Sequence, residues 1–258
     1  KDCCWAPGTT PARRAAPIMD GTSPQDHPPC SLADSIADAL LSEDQAVQTS
    51  AARKCNEVLE EIGGGHERLA AGLLNVLATG SDEGKYWACY GVYNLGCSNT
   101  QAKFALGMTE SLYGPLRELI AGGELCLRLA ACMALAMLSE VFSGNSTAEG
   151  FAMRPPMLEA LVSAMRCPEG PDGSGGDEEA KQDALELKDC AAVVLHNASN
   201  IPRVAALIVT VPQMLDTLKD LCLGPRCALW GRGDAAVSFS KASMHGLCIV
   251  NNLAKHGA

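Results

Sequence analysis

Val92-Tyr93-Asn94-Leu95-Gly96, Leu195-His196-Asn197-Ala198-Ser199 and Val250-Asn251-Asn252-Leu253-Ala254 are three imperfect copies of one phrase. Each closes a long apolar stretch, and a short stretch and then a medium amphipathic one complete the unit. Such a unit cannot bury its apolar face alone and must stack on its neighbours, so the repetition predicts a helical solenoid.

Outward from these phrases, helical periodicity predicts a first helix from Ser31 through Leu32, Ile36, Leu40 and Leu41, and a second from Glu43 to Ile62 that stops at Gly63-Gly64-Gly65. Further helices are expected over His66–Ala78, Asp82–Gly96, Asn99–Leu106 and Thr109–Ile120. Then the long, short, medium order recurs as Glu124–Phe142, Thr147–Met153 and Pro155–Met165, and again as Ala184–Ser199, Ile201–Val209 and Pro212–Leu221. A last long helix covers Asp234–Ala254. Irregular insertions rich in Pro, Gly and charge are expected near 168–183 and 224–233, and the Pro-rich residues 1–30 read as an extended arm ahead of a repeat domain over 31–258. With the insertions set aside, equivalent positions such as Leu95, Leu138, Ala198 and Leu253 recur at roughly 40 to 45 residues, the period of three-helix repeats.

Composition narrows the class. Apolar residues make up 47% of the 258, ample for a core, while 4% aromatic content suits helices packed through small side chains. The net charge is −10, without a basic cluster, which argues against nucleic-acid binding and towards basic protein partners. The strongest apolar run, Leu125 to Leu138, is too short to span a bilayer and is interrupted by Arg128, so the chain is expected to be soluble or peripheral, association with a membrane complex included.

Thirteen cysteines are present. Cys55, Cys89, Cys126, Cys132, Cys190, Cys222 and Cys248 fall in apolar helical patterns, where a free thiol packs as a small hydrophobe. Cys3, Cys4, Cys30, Cys167 and Cys227 fall in expected loops and are the candidates for disulfides in an oxidising compartment, with Cys97 at a helix end. No Cys/His spacing typical of zinc is present, and no metal or cofactor is expected. Residues 9–17 are basic and acid-poor, as in a targeting remnant and equally in an ordinary tail; with Lys1 first, a cytoplasmic and an organellar location both stay open.

Gly91-Val92-Tyr93-Asn94-Leu95-Gly96-Cys97-Ser98-Asn99, Val193-Val194-Leu195-His196-Asn197-Ala198-Ser199-Asn200 and Ile249-Val250-Asn251-Asn252-Leu253-Ala254 resemble the third-helix signature of armadillo repeats, and Leu116-Arg117-Glu118-Leu119-Ile120 resembles the second-helix one. The resemblance covers residues 31–258 and implies an all-α, right-handed α-solenoid of armadillo-like three-helix repeats. It also implies a concave groove lined by third helices, whose Asn side chains bind the backbone of an extended peptide. Carried over position by position, Asn94, Asn197 and Asn252 are the groove candidates, with Tyr90 four residues before the first. Nuclear import adaptors of this family carry Trp where this chain has Tyr90, Val193 and Cys248, so recognition of nuclear localisation peptides is not implied. The same Asn residues also suit bridging or capping of helices through their amides.

Catalytic patterns are near misses. Gly80-Ser81-Asp82-Glu83-Gly84-Lys85 lacks the glycine spacing and Ser/Thr of a P-loop, and Gly63-Gly64-Gly65 follows no strand. His66, His196 and His245 have no nucleophile in a recognised arrangement. Arg232-Gly233-Asp234 and Asn145-Ser146-Thr147 match short adhesion and glycosylation patterns of high chance frequency. A non-catalytic protein–protein interaction scaffold is expected, either a peripheral subunit of a larger assembly or a transient peptide-binding adaptor, with a helical enzyme as the competing class. Because short and medium helices should follow the last long one, Met244, Leu247, Ile249 and Val250 are expected to present an apolar terminal interface.

Overall fold

The structure is a computed structural model, and it describes residues 31–59, 66–142, 149–150, 152–168, 178–223 and 241–257. The expected arm over 1–30, the Gly63–Gly65 stop, the Asn145 and Arg232 motifs, Cys3, Cys4, Cys30 and Cys227 lie outside these residues. Among the described residues all regular structure is helical: α1 (Ser31–Leu40), α2 (Gln45–Val58), α3 (His66–Thr79), α4 (Asp82–Ser98), α5 (Thr100–Gly107), α6 (Glu110–Gly122) and α7 (Leu125–Ser139), then α8 (Pro155–Met165), α9 (Glu178–Ser199), α10 (Pro202–Ile208), α11 (Met214–Leu223) and α12 (Lys241–His256).

Local chemistry sets the helix starts. Asp44 accepts from the backbone N–H of Ala46 at 2.8 Å, Ser81 from Gly84 at 3.1 Å and Asn99 from Ala102 at 2.9 Å, each satisfying a donor that the first turn leaves orphaned. Pro155 and Pro202 open α8 and α10, where a missing N–H costs nothing.

Two rows of helices result. Third helices α2, α4, α7, α9 and α12 pack successively side by side, and second helices α1, α3, α6, α8 and α11 form the adjoining row. The short α5 and α10 connect a third helix to the next second helix, which is the long, short, medium order of the sequence. Between the rows lies one apolar core, from Leu40 and Leu73 through Leu95, Leu116 and Leu135 to Leu161, Leu195 and Ile249. Small residues let the helices approach: a Cβ on Gly72 would lie 2.6 Å from Leu40 Cβ, and one on Gly96 would lie 2.1 Å from Met137 Sδ.

Several boundaries differ from expectation. α9 starts at Glu178, so residues 178–183 are helical rather than part of an insertion, and Glu178 and Glu179 occupy a first turn where acids favour the helix dipole. Leu32 and Leu41 are exposed although Ile36 and Leu40 of the same stretch are buried, because the buried face of α1 is narrower than the run of apolar residues. Cys126 and Cys248 are exposed and Cys222 half-buried, so only Cys55, Cys89, Cys132 and Cys190 of the helical set pack as core. Cys167, expected in a loop, is buried and free.

Candidate protein-binding face

The third-helix row carries the groove candidates. Trp87, Tyr90 and Asn94 follow one another on α4 at spacings of three and four, which places them on one face. All three are half-buried. Tyr90 packs on Tyr86 with centroids 5.0 Å apart, and Tyr86 meets Trp87 edge-on at 5.3 Å. Arg53 of α2 lies over the Trp87 ring at 5.3 Å while pairing with Glu83, which fixes the indole from one side.

Each Asn reaches back to the preceding third helix. Asn94 Nδ2 donates to Asn56 Oδ1 at 2.9 Å, and Asn56 Nδ2 donates to Ala52 O and Trp87 O, both at 2.9 Å. Asn197 Nδ2 donates to Ser139 Oγ at 2.7 Å. Asn252 Nδ2 donates to Ser199 Oγ at 2.9 Å and to Asn200 Oδ1 at 3.2 Å. The amides thus bridge helices of successive repeats, as one of the two sequence readings holds, and Asn197 and Asn252 do so at the C-terminal ends of α7 and α9. An amide held in this way points in a defined direction and keeps its oxygen for another donor.

Two tyrosines of α4 feel nearby acidic charge. Burial, the hydrogen bond to Tyr86 and the nearby charges of Asp183 and Glu186 on α9 together raise the Tyr90 phenol well above its ordinary range. Tyr93 is pushed up to about 12, first by burial, then by Cys97, with Cys190 and Glu140 adding to it. Tyr90 is thus within reach of carboxylates on α9, and Tyr93 within reach of Glu140 at the end of α7.

Sequence reasoning missed three participants. Asn56 lies outside every copy of the repeated phrase, Ser139 stands where no Asn marks the repeat, and the pairing of His196 with His245 joins residues far apart in sequence. Their Nδ1 atoms are 3.0 Å apart across the α9–α12 junction. Burial lowers both imidazole pKa values; His196 and Lys241 lower that of His245 further. Asp189 Oδ1 accepts from the Ala242 N–H at 2.6 Å and anchors the first turn of α12; burial raises its carboxyl pKa.

On the terminal repeat, Met244, Leu247 and Val250 are exposed. Ile249 is fully buried, because it falls on the opposite side of α12 and packs into the core; it does not belong to an exposed interface. Leu247 and Val250 line an apolar cleft of about 540 Å³ with Val209, Leu215, Leu218 and Leu253.

No group of three or more His, Cys, Asp or Glu side chains among the described residues is arranged to hold a metal ion, and no described helix is long and apolar enough to cross a membrane. No family model matches the sequence, and comparison with curated proteins gives no match. Solved structures do match in fold. An engineered protein from the Northeast Structural Genomics Consortium superposes with a TM-score of 0.51 at 15% identity, covering 87% of this chain and 97% of its own. A second engineered protein from the same consortium gives 0.49 at 18%, covering 88% and 100%. Computationally designed armadillo repeat proteins for modular peptide recognition give 0.47 at 15%, covering 84% and 98%. The fold is armadillo-like. In this armadillo-like solenoid the candidate Asn residues stand on the third-helix row, each bonded to the third helix before it.

Proposed function

We propose that the chain is a non-catalytic protein-binding scaffold that holds an extended, basic polypeptide segment along its third-helix face. The observation that carries this reading is the Trp87–Tyr90–Asn94 stripe on one face of α4, whose Tyr90 lies within reach of the charges of Asp183 and Glu186 on α9. Aromatic faces and carboxylates together attract Lys and Arg side chains, and oriented amides suit the backbone of an extended segment. The designed proteins named above are described as recognising peptides.

The test is isothermal titration of the full chain with Lys/Arg-rich peptides and with the same peptides carrying Glu in place of each basic residue. Binding of the basic set alone, weakened by salt and by Tyr90→Ala or by Asp183→Asn with Glu186→Gln, supports the reading. Equal binding of both sets, or basic-peptide binding unmoved by those substitutions, overturns it.

A second reading, a fixed subunit of a larger assembly, is favoured by the exposed side chains of Leu215, Leu223, Met244, Leu247 and Val250 on α11 and α12. Its occupant is the apolar surface of another protein subunit. Leu247→Asp with Val250→Asp would then abolish co-purification of that subunit while leaving helicity and basic-peptide binding intact; an unchanged complex would remove the idea.

A further inference from the structure

Most arginines among the described residues are neutralised. Arg53, Arg68, Arg117, Arg154 and Arg203 each pair with a carboxylate. Among the described arginines, Arg128 and Arg166 form no ion pair, and both line the same cleft. That cleft has a volume of about 440 Å³ and lies between α8 and the turn joining α10 to α11, on the second-helix side of the molecule. Two unpaired guanidinium groups on one cleft repel each other, in a chain with carboxylates to spare.

Arg128 is held firmly. From the first turn of the otherwise apolar α7, its Nε donates to Ile120 O at 3.0 Å and its Nη2 to Ser163 O at 3.1 Å. These carbonyls belong to the last turns of α6 and α8, where a cation meets the negative helix ends. Its Nη1 has only the Cys167 sulfur at 3.7 Å, a weak acceptor, so this edge remains for a stronger one. Arg166 is exposed at the C-cap of α8 with its guanidinium unengaged. The far rim is Pro212 and Gln213. Gln213 has a φ of 62°, in the left-handed region that costs a glutamine about 1 kcal/mol. Strain of this kind marks positions where backbone direction matters.

We propose that this cleft binds a phosphate group. Two guanidinium groups, the Ser163 hydroxyl and the Gln213 carboxamide offer more donors, from more sides, than a carboxylate has oxygens to accept. The volume exceeds that of the ion and leaves room for whatever carries it. Glu159 also lines the cleft, unpaired, and its charge opposes the anion, which gives the proposal a sign to be tested.

The experiment is NMR titration of the ¹⁵N-labelled full chain with inorganic phosphate at constant ionic strength. Saturable shifts are expected at Ser163, Arg166, Gln213 and the Arg128 side chain, with affinity reduced about tenfold or more by Arg166→Gln and increased by Glu159→Gln. Arg166 and Glu159 make no side-chain bonds, so neither substitution threatens the fold. Absence of saturable shifts, or an affinity unchanged by Arg166→Gln, overturns the proposal. Parallel titration with a phosphoserine peptide separates the sources: a peptide that binds much more tightly than the ion assigns the site to a phosphorylated protein, and equal affinity assigns it to a small phosphate. The third-helix face is read separately, at Tyr90 and Asn94, so failure there and failure here are distinguishable.

Discussion

Asn94 donates through Nδ2 to Asn56 Oδ1 at 2.9 Å, and Asn56 passes its own Nδ2 to the Trp87 carbonyl, so one amide ties two turns of α4 to α2. Asn56→Ala removes both links and Asn94→Ala only one. Urea unfolding should show a loss of about 1–2 kcal/mol for Asn56→Ala and about half that for Asn94→Ala. In the double variant the losses should be less than additive, because Asn94 has no partner left to lose.

The α1–α3 contact depends on the absence of a side chain. Gly72→Ala sets a methyl 2.6 Å from Leu40 Cβ, an atom close to the backbone that cannot turn aside, and should cost about 1–3 kcal/mol in urea unfolding. Gly122→Ala places its methyl where nothing lies within 4 Å, and should leave the unfolding midpoint unchanged or slightly raised.

The His196–His245 contact makes the α9–α12 junction sensitive to acid. Both imidazoles are held below the ordinary value, so between the ordinary value of about 6.5 and the folded values the unfolded chain binds more protons. Stability is therefore full above that window, declines as pH falls through it, and levels off beneath the folded values. The urea midpoint should fall from pH 7.5 to pH 5, and the fall should be shallower in the variant with both histidines changed to Gln. Equal slopes in the two proteins would show that the pair does not titrate on unfolding.

Thiol chemistry should sort the cysteines by depth. Burial pushes Cys55 up to about 11 and Cys89 and Cys132 up to about 12, and holds Cys190 well above its ordinary value, so these stay protonated and shielded. Maleimide labelling of the native protein with peptide mapping should mark Cys97, Cys126 and Cys248 quickly and these four only under denaturant.

Helix order and repeat type were legible in the sequence because apolar spacing, Gly stops and Pro starts are local signals. The helix-bridging amides of Asn94, Asn197 and Asn252 were legible for the same reason, each sitting in the repeated phrase. Their partners were not, since Ser139 and Ser199 are common residues whose role exists only once two helices stand side by side. The exposure of Cys126 and Cys248 escaped for a related reason: periodicity gives the spacing of a buried face but not its width. The burial of Ile249, one position from exposed Val250, turns on that same width.

Three of the four junctions between successive third helices are bridged by different atoms: an amide to an amide at Asn94, an amide to a serine hydroxyl at Asn197, and an amide to both at Asn252. Each junction is a separate handshake, settled between its two helices without reference to the others. A chain built this way can respell one junction at a time and keep its form.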